Sequence, residues 1–195
     1  MPDIQPKITK SHRTKKPLID IGMISHGTLT VIDIQESRRF YEEVLGFEVI
    51  QHAPVGLLIR KGTDHVYVVV EEGQESPMRL LDHNGLDVPS NEAVNDAHAK
   101  LTEVKDQYGL KRITKPQEQH GAYSFYFEDL NSCWWEILAG REHGYSFAYA
   151  DPNRDMTAKN DIDPDLMDHA FDDNFIGDLT AKRAQTDNTR GCYID

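Results

Sequence analysis

The chain has 195 residues, a formal net charge of −12, 38% hydrophobic residues and 28% charged residues. This length suits one domain or two small fused modules that can bury a sizeable core. The acidic balance argues against a nucleic-acid role, because the only basic cluster is the short arm at residues 7–16. No apolar stretch is long enough to span a membrane, and the two cysteines and the lack of a secretory signal pattern favour a cytoplasmic location.

The first half of the chain predicts a β-α-β-β-β order. The run at residues 23–34 is rich in β-branched residues and nearly alternates, which is typical of a strand. Apolar residues from Phe40 to Leu45 lie at helical spacing and predict a helix over residues 35–45, which Gly46 ends. The remaining predicted strands of this half are residues 47–51, 55–61 and 65–71.

The second half predicts the same order again. Val94, Ala97 and Leu101 lie on one face of a predicted helix over residues 91–108, and Gly109 ends it. The predicted strands around this helix are residues 80–88, 110–114, 123–128 and 133–138.

An internal repeat relates the two halves. His26 and His83 lie in the two first strands, and each is followed by a Leu and a Val at identical offsets. The hairpin at residues 57–73 aligns with residues 124–140 without a gap, which places Val69 opposite Glu136. The repeat therefore pairs two histidines and sets an apolar residue against a carboxylate.

Two tandem β-α-β-β-β modules with a His in each first strand resemble the vicinal oxygen chelate superfamily, which includes glyoxalase I, bleomycin- and fosfomycin-resistance proteins and extradiol dioxygenases. The run R-R-F-Y-E-E-V-L-G-F-E-V is similar to the helix-to-strand junction of that family. The resemblance covers about residues 22–141. It implies an α+β fold in which the two tandem βαβββ modules form a cup-shaped mixed sheet.

The domain organisation follows from this match. We expect a basic N-terminal arm at residues 1–21 and one two-module domain at residues 22–141. The modules are residues 22–73 and 79–141. An acidic extension follows at residues 142–195, and its last 45 residues hold eleven aspartates against five basic residues.

The resemblance implies three metal ligands, His26, His83 and Glu136. Glu136 also stands in the apolar run C-W-W-E-I-L, where a buried carboxylate needs a partner or a metal. Two His and one carboxylate form the facial triad of non-haem Fe(II) oxygenases, which leaves positions open for substrate and O₂. The fourth position at Val69 is apolar, although Glu71, two residues along, would restore a four-ligand site after a slip of two residues.

The residues around this metal most resemble those of a small type I extradiol dioxygenase. Tyr126 precedes Glu136 by ten residues and is expected to contact a bound catecholate. His65 corresponds to an acid/base His, and since it has the parity of Val69 we expect it to face the cup. Each of these residues also has a purely structural interpretation. His65 could be an exposed strand start, Tyr126 a half-buried strand aromatic and His120 a loop residue. The expected substrate-binding residues are His120, Phe125 and Trp134.

The resemblance implies that the protein is an oxidoreductase of aromatic catabolism. It would use Fe(II), or Mn(II), and O₂ for extradiol cleavage of a catechol-like diol. The first alternative is a glyoxalase-type isomerase or lyase that uses Ni²⁺ or Zn²⁺ with Glu71 as an extra ligand. The second is a non-catalytic binding protein of the resistance type. A homo-oligomer is compatible with each, since cups in this superfamily form within one chain or between two.

Overall fold

The computed structural model describes residues 11, 17–62, 65–119, 122–139, 145, 149, 155, 157 and 158. The chain divides into two compact units. One comprises Lys16–Gln117 and Tyr123–Arg141 and contains both predicted modules. The other comprises Met1–Lys15, Glu118–Ala122 and Glu142–Asp195. Residues 1–10 and 12–16 of the predicted basic arm, nearly all of the predicted acidic extension, and His120 lie outside the described residues.

Module one forms a four-stranded sheet covered by one helix. Its elements are β1 (His26–Val31), α1 (Ile34–Glu43), β2 (Glu48–Ala53), β3 (Gly56–Arg60) and β4 (Val66–Glu71). The sheet order is β1-β4-β3-β2, with β1 parallel to β4 and the other pairs antiparallel. Strand β1 ends before the predicted residue 34 because Asp33 caps α1, accepting hydrogen bonds from the backbone N–H groups of Gln35 and Glu36.

Module two repeats this arrangement with one additional strand. Its elements are β5 (Asn84–Asp87), α2 (Asn91–Glu103), β6 (Arg112–Ile113), β7 (Gln117–Gln119), β8 (Ala122–Glu128) and β9 (Trp134–Ala139). The second sheet has the order β5-β9-β8-β6, and β7 pairs with β8. The sequence did not predict β7. The predicted α+β class with two βαβββ modules is confirmed.

The start of module two differs from the predicted strand at residues 80–88. Leu80–Asp82 is a short 3₁₀ turn, and His83 follows it with its backbone N–H donated to the carbonyl of Leu80. His83 therefore lies just before β5 rather than within a strand. Along the described parts of the chain, no helix is long and apolar enough to cross a membrane.

One face of each sheet packs into a shared core with the two helices. Val69 from β4, Phe125 from β8 and Trp135 from β9 are fully buried there. The ring of Trp135 lies 6.3 Å from Tyr41 of α1 and 5.9 Å from Phe47, both edge to face. These large rings join the modules, since each aromatic side chain removes much apolar surface from water.

A buried polar cluster also links the modules. Asp129, which is fully buried, accepts hydrogen bonds from the backbone N–H groups of Asn131 and Cys133 and from Nε1 of Trp135, at 2.8–3.0 Å. Asn131 Oδ1 accepts from the backbone N–H of Ile32 in module one. Burial raises the pKa of Asp129 to about 6, although the donated hydrogen bonds oppose this rise.

Replacing Asp129 by Asn is expected to remove a pH dependence of stability. Because the pKa of about 6 in the folded state exceeds the ordinary 3.8, the contribution of this group is complete below about pH 4 and is lost as pH rises through 6. The loss is about 2–3 kcal/mol. Urea unfolding at pH 4.5 and 7.5 measures it, with Asp106→Asn as the control at an exposed aspartate. Equal pH profiles for wild type and Asp129→Asn would contradict this account.

Candidate metal centre

His83 and Glu136 meet on the face of the second sheet opposite the one that carries Phe125 and Trp135. The Nε2 atom of His83 lies 3.3 Å from Oε2 of Glu136. The other ring nitrogen, Nδ1, lies 2.7 Å from the carbonyl oxygen of Leu80, and since a carbonyl only accepts, Nδ1–H is the donor. Ser124 donates from Oγ to Oε1 of Glu136 at 2.7 Å. Both side chains are thus held with Nε2 and Oε2 facing each other.

Charge stabilises this pair. Burial acts to raise the pKa of Glu136, but hydrogen bonds from His83, Ser124 and Tyr126 outweigh it, so the pKa lies below its ordinary value. The contact with Glu136 raises the pKa of His83, against the opposing effect of burial. Glu136 is only 4% exposed, so its carboxylate depends on these partners.

The donor set fits a divalent metal. Two ligand atoms each about 2.1 Å from one ion lie about 3 Å apart when adjacent, close to the separation of Nε2 and Oε2. A metal-ligating His usually donates its other ring N–H to a carbonyl or carboxylate, as His83 does to Leu80. The hydrogen bond from Ser124 orients the carboxylate in the same way.

His26 is not part of this pair. It lies exposed at the start of β1, with its Nδ1 atom 2.7 Å from Oγ of Ser25. Among the described residues, no three His, Cys, Asp or Glu side chains are grouped closely enough to hold a metal ion. The structure therefore brings together two of the three predicted ligands, and His26 as the third stays a prediction.

The strand pairing in the two sheets shows that the fourth ligand position is Val68, one residue before the position given by the gap-free alignment. Thr28 and Gly85 occupy equivalent places, two residues after the paired histidines. Thr28 lies opposite Val68, and Gly85 lies opposite Glu136. Val68 is therefore the counterpart of Glu136, whereas Val69 is fully buried on the core face. The gap-free alignment was wrong by one residue, which turns a strand side chain to the other face. The fourth position is still apolar.

The same register places Glu71 and His65 on the other face from His26. Glu71 accepts a hydrogen bond at 2.8 Å from the backbone N–H of Ile34, at the start of α1, where the helix dipole favours a carboxylate. His65 packs edge to face against Tyr67, with ring centroids 4.9 Å apart. His65 does share the parity of Val69, but that face is the core side of the sheet.

Two other predicted residues lie on the face of Glu136. Tyr126 is directly opposite Glu136 across β8 and β9, and its ring lies 4.9 Å from that of His83. Trp134 precedes Glu136 by two residues and therefore shares its face. Phe125 does not: it pairs with Ile137 on the core face and is fully buried, and its contact with substrate stays a prediction.

Sequence reasoning missed two residues of this face, Ser124 and Arg112. Ser124 precedes Tyr126 by two residues, so the period of the strand already placed both on one face. The guanidinium of Arg112 lies 4.6 Å above the ring of Trp134, and Arg112 also pairs with Glu128. No sequence signal indicated the contact with Trp134, because it depends on the pairing of β6 with β8.

Comparison with known proteins agrees with this architecture. A family model described as the Glyoxalase/Bleomycin resistance protein/Dioxygenase superfamily matches residues 23–137. A possible glyoxalase from Bacillus cereus is 24% identical with a TM-score of 0.51, over 61% of this chain and all of that one. A fosfomycin resistance protein from Listeria monocytogenes, solved with Mn(II) and a dihydroxypropylphosphonic acid, is 20% identical with a TM-score of 0.51, over 67% of this chain and 99% of that one. No curated protein matches the chain significantly.

Proposed function

Because this chain belongs to the Glyoxalase/Bleomycin resistance protein/Dioxygenase superfamily, we propose that it is a divalent-metal-dependent enzyme. His83 and Glu136 are two ligands, and His26 from a second copy of the chain is the third. The observation that carries the proposal is the preset pair, with Nε2 and Oε2 3.3 Å apart and their other polar atoms already bonded.

The second copy is proposed from the position of His26. This side chain is exposed in one chain and shares the outward face of the first sheet with Val66 and Val68, which are half-buried. Ile50 of β2, on the same face, is 60% exposed. Apolar sheet faces of this kind normally pack against another layer. Packing against a second copy would cover these residues and bring His26 to a neighbouring pair.

The finer proposal is extradiol ring cleavage of a catechol-like diol by O₂, with Fe(II) or Mn(II). Three protein ligands and an apolar fourth position leave room for substrate and O₂. Bound there, the metal supplies Lewis acidity and, as Fe(II), the redox chemistry of O₂ activation. Tyr126 donates a hydrogen bond to a substrate oxygen beside the pair, Ser124 keeps the carboxylate of Glu136 oriented, and Trp134 forms an apolar wall.

Fe(II) loading tests this proposal. Protein loaded with Fe(II) under strict anaerobiosis and then mixed with O₂ and a catechol panel is expected to consume O₂ and form a yellow ring-fission product with at least one catechol. The comparison variant is Tyr126→Phe, which also loses the hydrogen bond to Glu136; at equal metal loading it should lose most of the turnover, by about 10²–10⁴-fold. Neither O₂ uptake nor a yellow product with any catechol would refute ring cleavage.

A redox-neutral isomerase or lyase of the glyoxalase type, with Ni²⁺ or Zn²⁺, is the second candidate. His65 supports it, since extradiol chemistry would use this side chain as an acid/base, and it packs against Tyr67 on the opposite face of its sheet from His26. Glu71 accepts a hydrogen bond from the backbone N–H of Ile34 at the start of α1, which argues against it as the extra ligand of such an enzyme. Turnover of an α-hydroxycarbonyl or epoxide panel without O₂ uptake would distinguish this reaction from ring cleavage.

A further inference from the structure

A groove of about 660 Å³ opens beside the metal pair. This volume is typical of sites that bind small molecules. Its walls come from the 3₁₀ turn before β5, the segment after α2, and strands β6 and β9. The residues that matter here are Arg79, Lys105, Lys111, Arg112, Ile113 and Trp134.

The groove carries positive charge in a chain of net charge −12. Four cations line it, and three of them have carboxylate partners. Among the described residues, no ion pair or side-chain hydrogen bond involves the fourth, Lys105. One positive charge therefore remains uncompensated at the wall. The three pairs are Arg79–Asp82, Lys111–Glu75 and Arg112–Glu128.

The groove is also apolar along one side. Trp134 contributes little to this side, because it is 4% exposed and one face of its ring lies beneath the guanidinium of Arg112, at 4.6 Å. Ile113 and Met78, which are half-buried, supply the apolar surface. A flat apolar body can lie against these side chains while a charged group reaches Lys105, so the lining matches a ligand with two chemically distinct ends.

Two contacts connect the groove to the pair. Trp134 and Glu136 share one face of β9, about 7 Å apart along the strand. Leu80 lines the groove, and its carbonyl oxygen accepts the Nδ1–H of His83. The groove therefore adjoins the pair through Leu80 and Trp134, although neither His83 nor Glu136 lines it.

We propose that this groove binds the oxyanion of an amphipathic ligand, a carboxylate or a phosphonate, with Lys105 as the principal cation and Ile113 and Met78 against the apolar body. The assignment of this ligand as the substrate rests on the proposed function. The substrate class is then a metal-chelating compound with a terminal anionic group. Binding of the anion itself requires no metal.

Experiments on metal-free protein in EDTA test anion binding by the groove separately from the proposed metal-dependent activity. Binding of phenylacetate, phenylphosphonate and the neutral phenylacetamide is measured by saturation-transfer NMR and calorimetry. Both anions are expected to bind at least about fivefold more tightly than the amide, and added salt should weaken them alone. The stronger of the two anions identifies the preferred oxyanion.

Lys105→Met keeps most of the apolar stem and removes the charge. It is expected to abolish the preference for anions and to leave amide binding unchanged. The matched control is Lys100→Met, at an exposed lysine that pairs with Asp96 on α2 and does not line the groove. The proposal is overturned if the anions bind no better than the amide, or if both variants weaken anion binding equally. Anion binding that depends on Lys105, without turnover by any metal-loaded form, supports the groove and refutes the proposed function.

Discussion

Replacing Glu136 by Gln is expected to reduce metal affinity by more than about a hundredfold, since loss of residues that merely orient ligands already costs 10–100-fold. The amide keeps the size of the side chain but removes the negative charge that faces Nε2 of His83. Metal content after dialysis and calorimetric titration of the metal-free protein measure this loss. Activity should fall at least in parallel, because the reaction depends on the bound ion.

The matched control is Glu71→Gln, which makes the same chemical change on the other sheet. Glu71 caps α1 through the backbone N–H of Ile34, so its replacement should cost about 0.5–1 kcal/mol of stability and leave metal affinity unchanged. Loss of metal in Glu71→Gln, or stoichiometric metal in Glu136→Gln, would contradict the assignment. Ser124→Ala should lie between them, with about a 10–100-fold decrease in metal affinity.

The order of elements could be predicted because it depends on local patterns, and such a pattern also singled out Glu136, whose role as a ligand stays a prediction. Helical spacing and strand alternation gave the modules, and a lone acidic residue in an apolar run indicated Glu136. Tyr126 was singled out by the resemblance and by its spacing of ten residues from Glu136, and the strand pairing places it opposite Glu136. Ser124 could have been found as well, since it has the same parity.

What failed depends on non-local packing. A gap-free alignment cannot detect that the strand pairing of the two modules differs by one residue from the alignment. That difference makes Val68, and not Val69, the counterpart of Glu136. Phe125 alternates correctly with Tyr126, but only the position of the core shows which face is inside. The position of His26 relative to the pair depends on how the two sheets are arranged, and the spacing of residues in the sequence carries no information about that arrangement.

Mixing two inactive variants is expected to restore activity. His26→Ala lacks the proposed ligand on β1, and Glu136→Gln lacks the carboxylate on β9. If the site forms between two copies, a dimer with one chain of each kind has one intact site, built from His26 of one chain with His83 and Glu136 of the other. Random exchange in an equal mixture gives about one quarter of the wild-type activity.

The control uses two variants whose defects cannot be complemented by exchange of chains. His83→Ala and Glu136→Gln remove residues that contact each other within one chain, so mixing them should restore nothing. Chains are co-refolded or co-expressed with different tags, and activity and metal content are measured both on the whole mixture and on doubly purified protein. The purified protein holds only mixed dimers, so about one half of the wild-type activity is expected there. Recovery for the first pair alone supports a site shared between copies. No recovery for the first pair, in material shown to contain mixed dimers, would mean that His26 is not a ligand supplied across an interface, and the third ligand would have to be sought elsewhere.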